Sequence, residues 1–235
     1  MISTMSLKIK SWRTVIKVSL WSIVVILFLV FLIRVAVFEH NYYSEKEGSE
    51  RVVAEEVVEG QVEEEPLIEV EPTVEEVREY YVAADRPRYL SIARLGIENA
   101  RILPMGVNAR GELATPSNIF DVGWYEASGK PGQGGTMIID GHNGGPHVLG
   151  VFKNLPELSE GDDIIVERGD GAYFVYKVVE NNTILLENSD AYMKIAATSP
   201  IPGREAVTLI SCTGEWSQQQ RTYLSRQFVR AVLAE

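Results

Sequence analysis

The sequence is poor in the side chains that most often carry chemistry. Its 235 residues hold one cysteine, Cys212, and three histidines, His40, His142 and His147. A single cysteine excludes an intramolecular disulfide framework and confines any thiol chemistry to one atom. His142 and His147 are separated by a Gly-Gly-Pro run, so they form no helical metal pair, and no clear carboxylate cluster accompanies them. No metal and no other cofactor is therefore expected. The basic residues form no stripe, so nucleic acid is not an expected partner. Gly132, Gly134 and Gly135 follow no strand–helix nucleotide fingerprint and read as a loop.

Acidic residues are missing from residues 1–38, which carry five bases. Within that stretch Val18–Ile33 has no charge, and Arg34 is followed by the apolar Val35–Phe38. A span needs about 20 apolar residues, and a basic residue near its end snorkels to the headgroups, so residues 15–38 are long enough. Residues 39–79 reverse the sign, with fifteen acids against three bases. Bases stay on the cytoplasmic side, which predicts residues 1–14 inside and everything beyond Phe38 outside the cell. The competing expectation is a cleaved signal peptide. The apolar run is longer than a usual signal core, and no clear small-x-small site precedes the acidic segment.

The expected organisation is a cytoplasmic stub and transmembrane anchor at 1–38, an acidic linker at 39–85, and a folded domain at 86–235. In the linker, Glu63-Glu64-Glu65-Pro66 and Glu69-Val70-Glu71-Pro72 combine charge repulsion with helix-breaking prolines. From Arg86 the composition changes to short runs of Val, Ile, Leu and Tyr separated by glycine and proline. Strands are predicted at 88–93, 98–103, 136–141, 163–168, 172–181, 183–188, 206–212 and 227–233, with short helices at 147–154 and 188–196. Eight short strands in such a length predict an all-β barrel or sandwich.

Two strand ends stand out. Ala206-Val207-Thr208-Leu209-Ile210-Ser211-Cys212 is an apolar, β-branched run stopped by Thr213-Gly214, so its thiol ends a strand. Alone, such a cysteine is more often a small buried hydrophobe. Thr136-Met137-Ile138-Ile139-Asp140 is a similar run, broken by Gly141, and His142 follows. A histidine there is, alone, more often a hydrogen-bonded loop residue. Arg226 enters the last strand signal, Phe228–Leu233. Together the three types suit acyl transfer. A thiolate attacks, a nearby imidazolium favours the thiolate and protonates the leaving amine, and a guanidinium offers fixed donors to an oxyanion. Arg221 is the rival arginine. Trp124, Tyr125 and Trp216 fit a groove lining and a core equally well.

Several stretches, in order, resemble the sortases, the membrane-anchored cysteine transpeptidases of mainly Gram-positive surfaces. Tyr89–Ile97 is similar to the family's first strand, and Thr136–Asn143 to the strand that delivers its histidine. Val151–Asp162 carries a Phe-x-x-Leu…Gly-Asp pattern. Thr208-Leu209-Ile210-Ser211-Cys212 matches the family's Thr-Leu-(Ile/Val)-(Thr/Ser)-Cys signature, and Ser225–Val229 the arginine strand that follows. The resemblance covers about residues 86–235. It implies a sortase-type eight-stranded β-barrel with short helices, and His142, Cys212 and Arg226 as the catalytic set. Ala93 stands where a proline is common, and Asp140 where a small residue is common before Gly-His. Asp140 either biases the imidazole toward its charged form or caps a turn.

The resemblance also implies substrate proteins with a C-terminal sorting motif of the Leu-Pro-x-Thr-Gly kind. Their acyl group would pass through Cys212 to an amine, either on a peptidoglycan precursor or on a pilin lysine. The segment from Asn188 to Glu205 would help select the motif. Two other readings use the same sequence: a catalytically idle tethered barrel that binds wall or partner peptides, and a different cysteine-dependent cell-wall transpeptidase of the L,D type. The second usually sets its cysteine after Ser/His-Gly, which Leu209-Ile210-Ser211-Cys212 does not match.

Overall fold

The alternation of β7, Ala206–Ser217, explains how the domain is layered. Successive side chains of a strand face opposite ways. Val207 and Leu209 therefore point to one side, where they join Leu90, Ile102, Trp124, Ile139, Ile164, Tyr176 and Val229 in a fully buried core. Thr208 and Ile210 point to the other side and are buried as well. A helix covers them there, and Ile210 joins Ile138, Phe228 and Ala196 in a second, smaller cluster.

The structure is a computed structural model that describes residues 66–108 and 111–235. Its strands are β1 (Pro87–Ile92), β2 (Ile97–Met105), β3 (Val122–Tyr125), β4 (Thr136–Gly141), β5 (Asp163–Arg168), β6 (Tyr173–Leu185), β7 and β8 (Thr222–Leu233). They close into a barrel in the order β1-β2-β3-β4-β7-β8-β6-β5. β2 with β3 and β4 with β7 are parallel pairs, and the other pairs are antiparallel. Helix α1 is Val74–Glu79, and α2 is Leu186–Ala196, the helix that covers the outer cluster. The all-β barrel expected from the sequence is thus present. The apolar run at 15–38 and the linker up to residue 65 lie outside the described residues. Among those described, no helix is long and apolar enough to cross a membrane.

Eight strands were expected and eight are found, but they are not the same eight. β3 was not anticipated, because four residues with Gly123 among them leave almost no periodic signal. The strands predicted at 172–181 and 183–188 are one strand, β6, whose last predicted residues belong to α2. The predicted strands leave Asn182 between them, yet Asn181 and Asn182 both pair with β8. Asn181 Nδ2 also donates to the Leu158 carbonyl at 2.7 Å, which satisfies the amide inside a strand. The helix expected at 147–154 is absent. Those residues form a loop and turns before a short 3-10 turn at Leu155–Glu157. The His147 and Val148 amides donate to Glu69 Oε1 at 2.8 and 3.0 Å, and the Gly145 amide donates to the Val148 carbonyl at 2.8 Å, closing a tight loop.

Glu69 belongs to the stretch 66–85, assigned to the linker by its charge. Here that stretch lies on the barrel. Thr73 caps α1 reciprocally with Glu76, its hydroxyl accepting from the Glu76 amide and its own amide donating to Glu76 Oε2. Ile68 bridges to Asn118, Tyr80 Oη donates to the Ile102 carbonyl at 2.6 Å, and Tyr89 Oη donates to the Val77 carbonyl. Acidic composition predicted solvation, but a capping box and two tyrosine hydroxyls hold this segment in place.

Candidate active site

The site is a row across three neighbouring strands. β4 and β7 run parallel, with Ile138 opposite Thr208 and Asp140 opposite Ile210. Two residues further along each strand come His142 and Cys212. Across the next, antiparallel ladder Cys212 stands directly opposite Arg226. The period of two puts all three on the barrel's outer face, the face that carries Ile138, Ile210 and Phe228. Neighbouring strands lie about 4.8 Å apart, so the row brings imidazole, thiol and guanidinium positions side by side. Arg221 stays apart from it. It is exposed, has a φ of +51°, and sits in the turn between β7 and β8.

Each member is held. Ser211 Oγ donates to the Gly141 carbonyl at 2.9 Å, tying the residue before Cys212 to the residue before His142. The His142 carbonyl accepts from the Phe152 amide at 2.9 Å, and the next carbonyl, of Asn143, accepts from the Gly150 amide at 2.8 Å. Gly141 must lack a side chain, since a Cβ there would come within 2.7 Å of the Phe152 ring. The His142 ring bonds through Nε2 to the Pro116 carbonyl at 2.8 Å. A carbonyl only accepts, so Nε2 carries a proton and Nδ1 is the nitrogen that exchanges one. Arg226 Nη1 donates to the Tyr223 and Ser225 carbonyls at 2.9 and 3.1 Å, and Nη2 to Thr222 Oγ1 at 3.1 Å. Its own hairpin thus fixes the guanidinium.

Electrostatics set the protonation of the row. Burial pushes the Cys212 thiol up, Arg226 opposite pulls it down, and Asp140 pushes it up again. Burial holds the His142 imidazole below its usual range, and the Pro116 hydrogen bond opposes that shift. Asp140 is pushed up to about 7 by burial, against a hydrogen bond from Thr115. The neutral thiol and neutral imidazole therefore dominate at rest, and the thiolate–imidazolium pair is the minor form of the same protonation count.

All three residues singled out in the sequence come together. Missed were Thr115 and Pro116, in the connection between β2 and β3. Thr-Pro-Ser offers only a turn signal, and nothing in it announces a contact with β4 twenty-five residues away. Of the three aromatics, Trp124 is core, with its indole Nε1 donating to the Gly129 carbonyl at 3.0 Å. Tyr125 packs against the outer cluster. Trp216 is 45% exposed and stacks edge-on to Tyr223, further along the hairpin from Cys212. Among the described residues no group of three His, Cys, Asp or Glu could hold a metal ion.

A closed barrel whose chain matches the family model of the sortase domain over residues 90–234 has its class settled: this chain belongs to the sortase family, whose members are cysteine transpeptidases. Solved structures similar to it include sortase A from Corynebacterium diphtheriae, at 26% identity and a TM-score of 0.45, covering 65% of this chain and 63% of that one. A sortase D5 transpeptidase from Clostridium perfringens aligns at 20% identity and a TM-score of 0.45, over 70% and 90% of the two chains. A pilus-related sortase C of Group B Streptococcus aligns at 19% identity and a TM-score of 0.47, over 74% and 77%. The match thus spans less than two thirds of the Corynebacterium protein. No curated protein matches the chain.

Proposed function

We propose that this protein is a membrane-tethered transpeptidase that cleaves a C-terminal sorting motif of the Leu-Pro-x-Thr-Gly kind and transfers the acyl group to an amine. The observation that supports it best is the row of His142, Cys212 and Arg226 on one face of three paired strands. In this reading the Cys212 thiolate attacks the threonine carbonyl carbon, and Arg226 donates to the oxygen as it gains charge. The tetrahedral adduct collapses, the C–N bond to glycine breaks, and the His142 imidazolium gives its proton to the departing amine. A thioester on Cys212 remains. The acceptor amine attacks it, passes a proton back to His142, and restores the thiolate. The acceptor is a peptidoglycan precursor or a pilin lysine.

Apolar groups near the row suit an extended peptide. Ile184, opposite Arg226 on β6, packs on the outer cluster, and Leu185 next to it is 55% exposed. Ile201, in the segment after α2, is 38% exposed. The stretch from Asn188 to Glu205 is where motif preference is expected to reside. The test is direct. Full-length protein incubated with a Leu-Pro-Glu-Thr-Gly peptide, without acceptor, is expected to gain the mass of the acyl fragment on Cys212 and to lose it when an amine is added. A binding-only barrel would hold the peptide without any covalent adduct.

The same reading places the catalytic domain outside the cell, anchored by one span near residues 15–38. It rests on the uncharged run and on the switch from five bases to an excess of acids across it. Protease added to intact cells is expected to remove the folded domain and leave the cytoplasmic stub. Full protection of the domain overturns the topology.

A further inference from the structure

We propose that Thr115 and Asp140 form the positioning pair of His142, holding the Pro116 carbonyl where it keeps the imidazole in its Nε2–H tautomer. The inference rests on the role given to His142 above and names the device that orients it.

Asp140 precedes His142 by two residues and shares its face of β4. Its surroundings are an unusual place for a carboxylate. The small pocket beside it is lined by Met105, Leu113, Tyr125 and Ile138. A carboxyl group among such neighbours needs a dedicated partner. It has one: Thr115 Oγ1 donates to Asp140 Oδ2 at 2.6 Å. Room for it comes from Gly123, its cross-strand partner on β3, where a Cβ would lie 2.6 Å from Asp140 Oδ1.

The next residue of the connection is Pro116, whose carbonyl accepts from His142 Nε2 at 2.8 Å. Proline fixes its own φ and confines the residue before it to extended backbone. This narrows how far the Pro116 carbonyl can move relative to the Thr115 side chain. Anchoring Thr115 on Asp140 sets where that carbonyl lies, and with it which ring nitrogen of His142 keeps its proton. Two alternate residues at the end of β4 are thus gripped by two consecutive residues of one connection. The far end of that connection is fixed as well. Arg101 binds Asp121 through two hydrogen bonds of 2.8 and 2.7 Å, and the Val151 amide donates to the Ile119 carbonyl at 2.9 Å.

Asp140 also carries charge toward the thiol. The titratable groups around it are His142, two residues on along the same face, Cys212 on β7 and Tyr125 on β3. Its ionisation near pH 7 makes thiolate formation harder as pH rises. Position and charge are separable by mutation, because asparagine keeps an oxygen for Thr115 and lacks the charge.

The experiment uses full-length protein in detergent and two readouts. One is the tautomer of the His142 ring, from two-bond 1H–15N correlations. The other is turnover of the Leu-Pro-Glu-Thr-Gly peptide with an added amine. Thr115→Val is expected to lose the fixed Nε2–H tautomer and to lower kcat about tenfold to a hundredfold, the scale of a small misplacement, with KM little changed. Thr115→Ser restores both. Asp140→Asn keeps the tautomer and moves the alkaline limb of the pH profile to lower pH. Where Thr115→Val does not fold, Thr115→Ala makes the same comparison. An active protein whose Thr115→Val variant keeps wild-type tautomer and kcat overturns the pair and leaves the transferase reading standing. A protein inert toward the peptide, yet with a tautomer sensitive to Thr115, supports the pair and counts against that reading.

Discussion

Cys212→Ala is expected to abolish transpeptidation, lowering kcat by a factor on the order of 10⁴ to 10⁶, the scale of losing a nucleophile. The fold should survive. Cys212 is only partly buried, and the exchange removes one sulfur atom from a site between intact ladders. Cys212→Ser should be severely impaired, because a hydroxyl gives up its proton far less readily than a thiol and is the poorer nucleophile. Peptide turnover with an added amine reads both. Retained turnover in the alanine variant would end the assignment.

The pH dependence of the wild-type rate belongs with this result. Activity follows the singly protonated thiol–imidazole pair. Protonating the imidazole of a neutral-thiol enzyme removes that form at the acid limb, and losing the last proton removes it at the alkaline limb. Burial lowers His142 and raises Cys212. The acid limb should therefore lie below the ordinary imidazole value of about 6.5, and the alkaline limb above the ordinary thiol value of about 8.5.

The second large effect is expected at Arg226. The register of β8 fixes its direction. Val229 and Ala231 point into the barrel core, with Leu233 packed against it. Phe228 points outward into the cluster under α2, and Arg226 shares that outward face. A guanidinium held by Tyr223, Ser225 and Thr222 is already oriented before substrate arrives. An oxyanion donor of this kind contributes a few kcal/mol, so Arg226→Ala should cut turnover by roughly a hundredfold or more. Arg226→Lys should rescue little, since an ammonium lacks the planar fork. Arg221→Ala should be mild, because that side chain leaves an exposed turn. Kinetics in which Arg221 is essential and Arg226 dispensable would falsify the role.

The row was legible in the sequence for a physical reason. The strand period of two and the break at Gly141 are local signals, and His142 does follow the end of β4. The stop expected at Thr213-Gly214 is instead an irregularity within the hairpin. β7 runs to Ser217 and β8 starts at Thr222, so Cys212 and Arg226 lie within strands. What the sequence did not announce was set by partners distant in the chain. β3 exists because β2 and β4 flank it, and no four-residue run carries that information. Asn182 fell between two predicted strands because its cross-strand partner, Phe228, lies on β8, far along the chain. The loop found at 147–154 is pinned at its start by Glu69, a residue assigned to the linker. The helix at Val74 was different. Thr73 and Glu76 are a capping box, a local signal that the acidic composition obscured. Asp140 stood between two sequence readings, and only Thr115 and Gly123 show what holds it.

The parallel ladder between β4 and β7 has a consequence in time. Parallel neighbours cannot be joined by a tight turn. The chain between them passes through β5, β6 and α2, so Ser211 meets Gly141 across 70 residues. Pairings this distant are the slow ones to form, because a large loop must close before any contact rewards it. Until they form, the cysteine has no imidazole beside it and no arginine opposite. Reactivity thus arrives with the last stage of folding and leaves with the first loss of the barrel. A half-made or half-unravelled chain is an inert one.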